Sequence, residues 1–391
     1  MRIAVVTTMS GYLWGGSEYL WAAMVDEALK ANHKVGVYIY HWDTHPPSIL
    51  DMERRGAYVF RRSLPRYGRV TRRLDKLRRG LKPPFRSLAT FEPDVICISQ
   101  GMTYDSVFAL DLTDLISRLD NDPIPYVVVC QYNDDTPMPS LHRREAAARF
   151  FDRATRVAFV SQGNKRAAER QLARSLPNAI VVRNPVNLTD LTTVPWPEPG
   201  VVHMASVARL DTVYKGQDIL LEALSGHPWH DRHWHLRLYG AGPDRGYLEA
   251  LAQHYGVAAR VEFAGHVDDI RAVWADNHLL VLASRGEGTP LALVEAMLCG
   301  RPSVVTDVGG NAEWIEEQQT GFIAEAATAS SVGSALDRAW LAQASWPGMG
   351  DRAHDVALRY LGPPPGKILL DIVLHAAQPA SSNLVVAEDG H

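Results

Sequence analysis

The chemistry of this chain is concentrated in three short stretches. In SRGEGTPLALVEAMLCGRP, Ser284 to Pro302, two glutamates stand eight positions apart: Glu287 among glycines in a loop, and Glu295 inside an apolar run that reads as a buried helix. Thr289 and Pro290 suit the N-cap and first position of that helix, and Gly300 suits its end. Pro290 has no N–H, but the amides of Leu291 and Ala292 stay unpaired at the positive end of the helix, a place for a phosphate or a polarised sugar oxygen. The two acids can then reach separate hydroxyl-bearing parts of one ligand lying over the helix start. The alternative is that Glu287 is a solvated loop acid and Glu295 a buried acid paired with arginine.

The second stretch, ASVARLDTVYKGQDILLEAL, carries Arg209 and Lys215 between an apolar strand and a helix that begins near Gln217. A planar fork and a compact charge at that edge can clamp a diphosphate and offset the charge that develops as it departs; otherwise they are two solvated loop cations. The third, TTMSGYLWGGSEYLW, places Gly15 and Gly16 between strand and helix, with Ser17 positioned to cap. Backbone amides can approach a phosphate or an acceptor closely there. The glycines at 11, 15 and 16 do not form G-x-G-x-x-G, which weakens a dinucleotide-binding reading.

Residues so dispersed need a scaffold that returns them to one place. Short apolar, β-branched runs alternate with helical patterns in both halves: 2–8, 34–40, 94–99, 126–131, 156–161 and 179–183, then 201–207, 235–240, 261–265, 278–284 and 302–308. Apolar strands separated by helices imply parallel sheets covered on both faces. Between the series, NPVNLTDLTTVPWPEPG (184–200) has four prolines and no periodicity, and reads as a linker. The expected fold is therefore α/β, two doubly wound domains facing across a cleft: 1–184, a linker 185–200, and 201–365, with a helix at about 366–380 packing back on the first domain. Ligands bind beyond the carboxyl ends of strands in such sheets, so each domain should offer its strand-to-helix loops to the cleft.

The chain has 391 residues, enough for two cores; it is 46% hydrophobic and 21% charged, with a formal net charge of −4. That balance carries no nucleic-acid signature, and no stretch approaches the ~20 apolar residues of a spanning helix. Cys97, Cys130 and Cys299 are scattered in apolar runs, which suits buried thiols in a cytoplasmic protein better than disulfides or a zinc site. HWDTH, His41 to His45, has metal-like spacing but reads as a surface loop beside two prolines. Between Arg61 and Arg86 lie eleven cations and one acid, with Val70, Leu74, Leu77 and Leu81 at helical spacing. This is either an amphipathic helix that meets anionic lipid at the inner membrane face or a surface helix packed through its leucines.

Together, Gly15-Gly16-Ser17-Glu18, RNPVN before the linker, ARL…KG, and the E-x7-E pair Glu287 to Glu295 followed by GRPSVVTDVGGNAEWI resemble the retaining family-4 glycosyltransferases of the GT-B fold, with two Rossmann-like domains. The resemblance implies that Arg209 and Lys215 hold the diphosphate of a nucleotide-sugar donor, that Glu295 hydrogen-bonds the ribose and that Glu287 contacts the transferred sugar. It also implies that the backbone near Thr289, Pro290 and Leu291 faces phosphate and sugar, and that the loop at Gly310 lines the cleft. No metal or further cofactor is implied. The acceptor it implies is a glycan, a lipid-linked molecule or a small metabolite. Two departures stand out: EGTP replaces the more usual EGFG after the first acid, and the histidine common after the first domain's later strands is missing. Gln100, Tyr132, Asn133 and Asp134 are the acceptor-side candidates in its place. An epimerase or phosphorylase of the same architecture and a catalytically silent glycan-binding module are the competing readings.

Overall fold

The computed structural model describes residues 1–64, 84–108, 112–121, 124–133 and 138–378; Asp134 and the stripe from Val70 to Leu81 lie outside them. In the first half, β1 (Arg2–Thr7), β2 (Lys34–Tyr40), β3 (Tyr58–Arg62), β4 (Val95–Gln100), β5 (Tyr126–Cys130), β6 (Arg156–Phe159) and β7 (Ala179–Val181) form one sheet in the order β3-β2-β1-β4-β5-β6-β7. In the second half, β8 (Val202–Val207), β9 (Trp234–Tyr239), β10 (Val261–Gly265), β11 (Leu279–Leu282), β12 (Ser303–Thr306) and β13 (Gly321–Ala324) form another in the order β10-β9-β8-β11-β12-β13. Every pairing is parallel.

The uninterrupted apolar runs of the strands follow from burial on both faces. In β1, Ile3 and Val5 enter one core with Leu20 and Trp21, while Ala4 and Val6 enter the other with Phe151 and Phe159. The period of two sends alternate residues to opposite faces, and since both faces are covered, all must be apolar. β11 repeats the pattern: Leu279 and Val281 on one side, Leu280 and Leu282 on the other.

Two strands escape the sequence reading. β3 and β13 occupy sheet edges; β3 ends in Arg61-Arg62 with Tyr58 exposed, and β13 has only four residues. β3 leaves a weak trace because most of its residues are exposed or half-buried, whereas β13, GFIA, is apolar and mostly buried but too short to stand out.

The stretch after Asn184 is packed rather than free. Val186, Leu188, Leu191 and Val194 lie against the core that holds Leu293 and Cys299. Arg301, buried beneath, donates to the carbonyls of Val194, Pro195, Trp274 and Asn277. After the helix Trp346–Tyr360 the chain returns to the first domain, where Leu369, Leu370 and Val373 of the helix Pro365–Ala376 share a core with Leu20 and Trp21 of the helix Tyr19–Lys30. Among the described residues no helix is long and apolar enough to cross a membrane.

Candidate active site

In each sheet the strand order reverses about its first strand: loops after β1 and β4 diverge in one domain, and loops after β8 and β11 in the other. The diverging loops leave a crevice. A cavity of about 810 Å³ fills it, lined by both domains, within the size range of small-molecule sites.

On the second domain the loop after β8 enters the short helix Thr212–Lys215 and turns at Gly216, whose φ is +61°. A Cβ at Gly216 would overlap the Ala283 carbonyl oxygen, so only glycine lets this loop lie against the end of β11. That approach brings Lys215 Nζ to 2.7 Å from Glu287 Oε1, which also accepts from Ser284 Oγ at 2.7 Å. Glu287 is 7% exposed, so it is not a solvated loop acid. Arg209 is engaged as well. Its guanidinium carbon sits 3.5 Å from the centroid of the Tyr12 ring, which belongs to the opposite domain. The Tyr12 hydroxyl donates to Asp211 Oδ2 at 3.3 Å, and Arg209 Nε lies 3.7 Å from the same oxygen.

The helix that carries Glu295 begins at Leu291 with Pro290 in the cap position, one residue later than the sequence pattern implies. Thr289 does not cap it, because its hydroxyl donates to the Val160 carbonyl at 2.9 Å and accepts from the Asn184 amide at 3.1 Å. Thr289, Pro290, Leu291 and Ala292 line the cavity, and no described residue accepts from the Leu291 or Ala292 amide. Glu295 lines the cavity too, without an arginine partner among the described residues. Burial pushes its carboxyl up from 4.5 to about 7.

On the first domain Gly15 and Gly16 line the cavity, and Gly16 faces Leu291 of the helix start. Ser17 sits inside a 3-10 turn, Gly16–Glu18, and makes no cap. The turn is tied down by Glu18, a fully buried carboxyl that accepts from the Thr7 hydroxyl and from the Trp21 indole at 3.0 Å. Despite those donors, burial pushes it up to about 7.

The acceptor-side candidates separate. Tyr132 lines the cavity and meets Tyr214 edge-on at 5.5 Å. Gln100 does not line it: fully buried, it donates to the Thr103 carbonyl and accepts from the Ser106 amide, pinning the loop after β4. Asn133 is turned inward towards the Asn164 carbonyl, and Asp134 lies outside the described residues. Gly310 is not on the cavity wall: it packs against Ser161 of the first domain, where an added Cβ would come within 2.9 Å of the Ser161 Cβ, and its amide donates to the Gly288 carbonyl of its own domain at 3.1 Å. The wall also contains residues that sequence spacing did not single out, namely Tyr12, Trp14, Asp105 and Gln131. Gln131 had one signal, its place directly after an apolar strand and beside Tyr132. His41 and His45 have ring centroids 6.0 Å apart, and no group of three potential ligands that could hold a metal occurs among the described residues.

Residues 202–341 match the family model described as glycosyl transferases group 1. An exopolysaccharide phosphotransferase of Streptomyces coelicolor is 33% identical over 141 residues, 36% of this chain and 14% of its own length. The N-acetyl-alpha-D-glucosaminyl L-malate synthase of Bacillus anthracis is 32% identical over 120 residues, 31% of this chain and 32% of its own length. The matched part of the chain thus spans about a third or less of these curated relatives. Among solved structures, Anabaena HepE in complex with UDP-glucose superposes with a TM-score of 0.69 at 19% identity, covering 95% of this chain and 98% of that one. At that identity the likeness bears on the fold, which is two-domain GT-B.

Proposed function

Starting from a GT-B chain whose second domain carries a glycosyl transferases group 1 domain, we propose that the protein is a retaining glycosyltransferase of family-4 type. It moves a sugar from a nucleoside-diphosphate donor to a hydroxyl in the making of a polysaccharide, a glycolipid or a glycosylated metabolite. The observation that carries this reading is convergence: Arg209, Lys215, Glu287, Glu295 and the free amides at Leu291 and Ala292 border one cavity between the domains.

In this mechanism the donor diphosphate lies over the helix start and exchanges the internal partners of both cations. Arg209 leaves Asp211 and Lys215 leaves Glu287, and the pair stabilises the charge that grows on the departing diphosphate. Glu287, released from Lys215, accepts from hydroxyls of the transferred sugar, and Glu295 accepts from the ribose diol. The leaving phosphate takes the acceptor's proton on the same face, so no side-chain base is needed and the protein's task is orientation and charge stabilisation. HepE was crystallised with UDP-glucose, which makes a uridine donor the first to try here.

The test is a thermal-shift screen against UDP, GDP, ADP, TDP and representative nucleotide-sugars. A ligand at a hundred times its Kd stabilises the fold by about 2.7 kcal/mol. One base should shift the transition selectively, and Glu295→Ala and Arg209→Ala should each weaken the shift. The pH dependence has a definite sign. Glu295 is protonated below about 7 and a hydroxyl-accepting carboxylate above it, so nucleotide stabilisation grows between pH 6 and 8, and Glu295→Gln flattens the rise. A folded protein indifferent to every nucleotide would refute the donor site.

We further propose a cytoplasmic location with peripheral contact through the arginine-rich run 61–86. Salt-sensitive binding to phosphatidylglycerol vesicles should be lost when Arg72, Arg73, Arg78 and Arg79 become glutamate; unaltered partitioning would exclude the contact.

A further inference from the structure

Tyr12 reaches from the loop after β1 in the first domain onto Arg209 of the second. The backbone of Arg209 is pinned: its carbonyl accepts from Gln217 Nε2 at 2.7 Å and from the Asp211 amide at 2.9 Å. The side chain is held differently. Its guanidinium donates no hydrogen bond to a described residue, its approach to Asp211 Oδ2 stops at 3.7 Å, and 36% of the side chain is exposed. A long side chain in that state has many rotamers open to it. The Tyr12 ring restricts them. With the guanidinium carbon 3.5 Å from the ring centroid, the two planes lie flat on one another, because an edge-on guanidinium would put its N–H groups between carbon and ring.

A guanidinium has two separable surfaces. Its face is attracted to an aromatic ring, while its edge carries the N–H fork that matches a phosphate. Tyr12 occupies the face and leaves the edge to the cavity that Tyr12, Arg209 and Asp211 all line. The hydroxyl at the far end of the ring has a complementary task. Burial raises its pKa from the ordinary 10, so it keeps its proton and donates to Asp211 Oδ2 at 3.3 Å, the same oxygen that Arg209 Nε approaches. An oxygen that already accepts from Tyr12 is a weaker rival to a diphosphate for the fork.

Resting on the transferase reading above, we infer that Tyr12 is a positioning residue for the donor diphosphate: from across the cleft it holds the Arg209 guanidinium flat, keeps its N–H edge open and occupies the Asp211 oxygen that competes for it. The clamp is complete only when the loop after β1 lies across the cleft. Readiness for the donor is then a property of both domains, although Arg209 and Lys215 both belong to the second.

The experiment is calorimetric titration of the full chain with UDP, or with the diphosphate of whichever base the thermal-shift screen selects. The Kd so obtained belongs to the folded fraction, so partial unfolding of a variant does not imitate weak binding. Tyr12→Leu removes ring and hydroxyl and should weaken binding about tenfold, as expected for loss of a partly desolvated cation–π contact. Tyr12→Phe keeps the ring and should stay within threefold of the wild type. The comparison is then repeated without the guanidinium: in an Arg209→Ala background Tyr12→Leu should cost less than twofold, because a residue that acts through Arg209 has nothing left to position. A purely structural role of the loop would cost the same in both backgrounds. Equal penalties therefore overturn the inference, as does wild-type affinity in Tyr12→Leu, or a Tyr12→Phe variant as weak as Tyr12→Leu. Each of those results leaves the transferase reading intact. A wild-type protein that binds no nucleoside diphosphate strikes that reading, and the inference with it.

Discussion

Lys215→Ala is expected to lower turnover by about 10²–10³-fold, the usual loss when one preorganised group facing developing charge is removed. The substitution does two things at once. It takes a cation from the departing diphosphate, and it leaves Glu287 buried beside Ser284 without its 2.7 Å partner. Breaking a fully buried pair costs ~3–5 kcal/mol; the cost here is smaller, because Lys215 keeps 27% of its side chain exposed and water can partly replace it. Adding Glu287→Gln separates the effects. The double variant should recover most of the lost stability in urea melts, since no unpaired charge remains, while its turnover stays low. Wild-type kcat and KM in Lys215→Ala would show that the cation does not serve the diphosphate.

How much of this site was legible in the sequence depends on what each residue answers to. The fully buried strands announced themselves because burial on both faces leaves little choice but apolar residues. β3, with its exposed tyrosine and closing arginines, and β13, only four residues long, were silent. Glu287 and Lys215 could be placed in facing loops from spacing, but their mutual ion pair depends on Gly216 allowing one loop to touch another, a tertiary fact. Thr289 shows the same limit from the other side. Its local context is that of a helix cap, yet its hydroxyl serves Val160 and Asn184 across the domain boundary.

The two glutamines show how sharp the limit is. Gln100 ends β4 in register with Cys130 of β5, and its side chain follows Cys130 into the interior. Gln131, one residue further along, turns the other way and lines the cavity. In a pleated strand one position decides the face, and sequence reading locates strand ends only to within a residue or two.

Gly163→Ala is expected to keep both domains folded and still lower kcat/KM by about a hundredfold, the penalty of a misplacement near 1 Å. Gly163 lies in the first turn of the helix Gln162–Leu172, whose cap is Ser161, and alanine favours helix over glycine. Nothing in its own domain resists the change. The obstacle is in the other domain, where a Cβ at Gly163 would overlap the carbonyl oxygen of Gly309. Backbone cannot yield as a flexible side chain does, so the domains must separate, and the 2.8 Å bond from the Gly163 amide to Glu313 must lengthen. Separation matters because Gly309 packs directly on the backbone of Glu287, and the Gly310 amide holds the Gly288 carbonyl. Closure and the placing of Glu287 are therefore one event. Donor-dependent compaction in small-angle scattering, seen in the wild type and reduced in Gly163→Ala, is the expected pair of results. Unchanged compaction together with wild-type kinetics would mean that the contact at Gly163 does not govern closure.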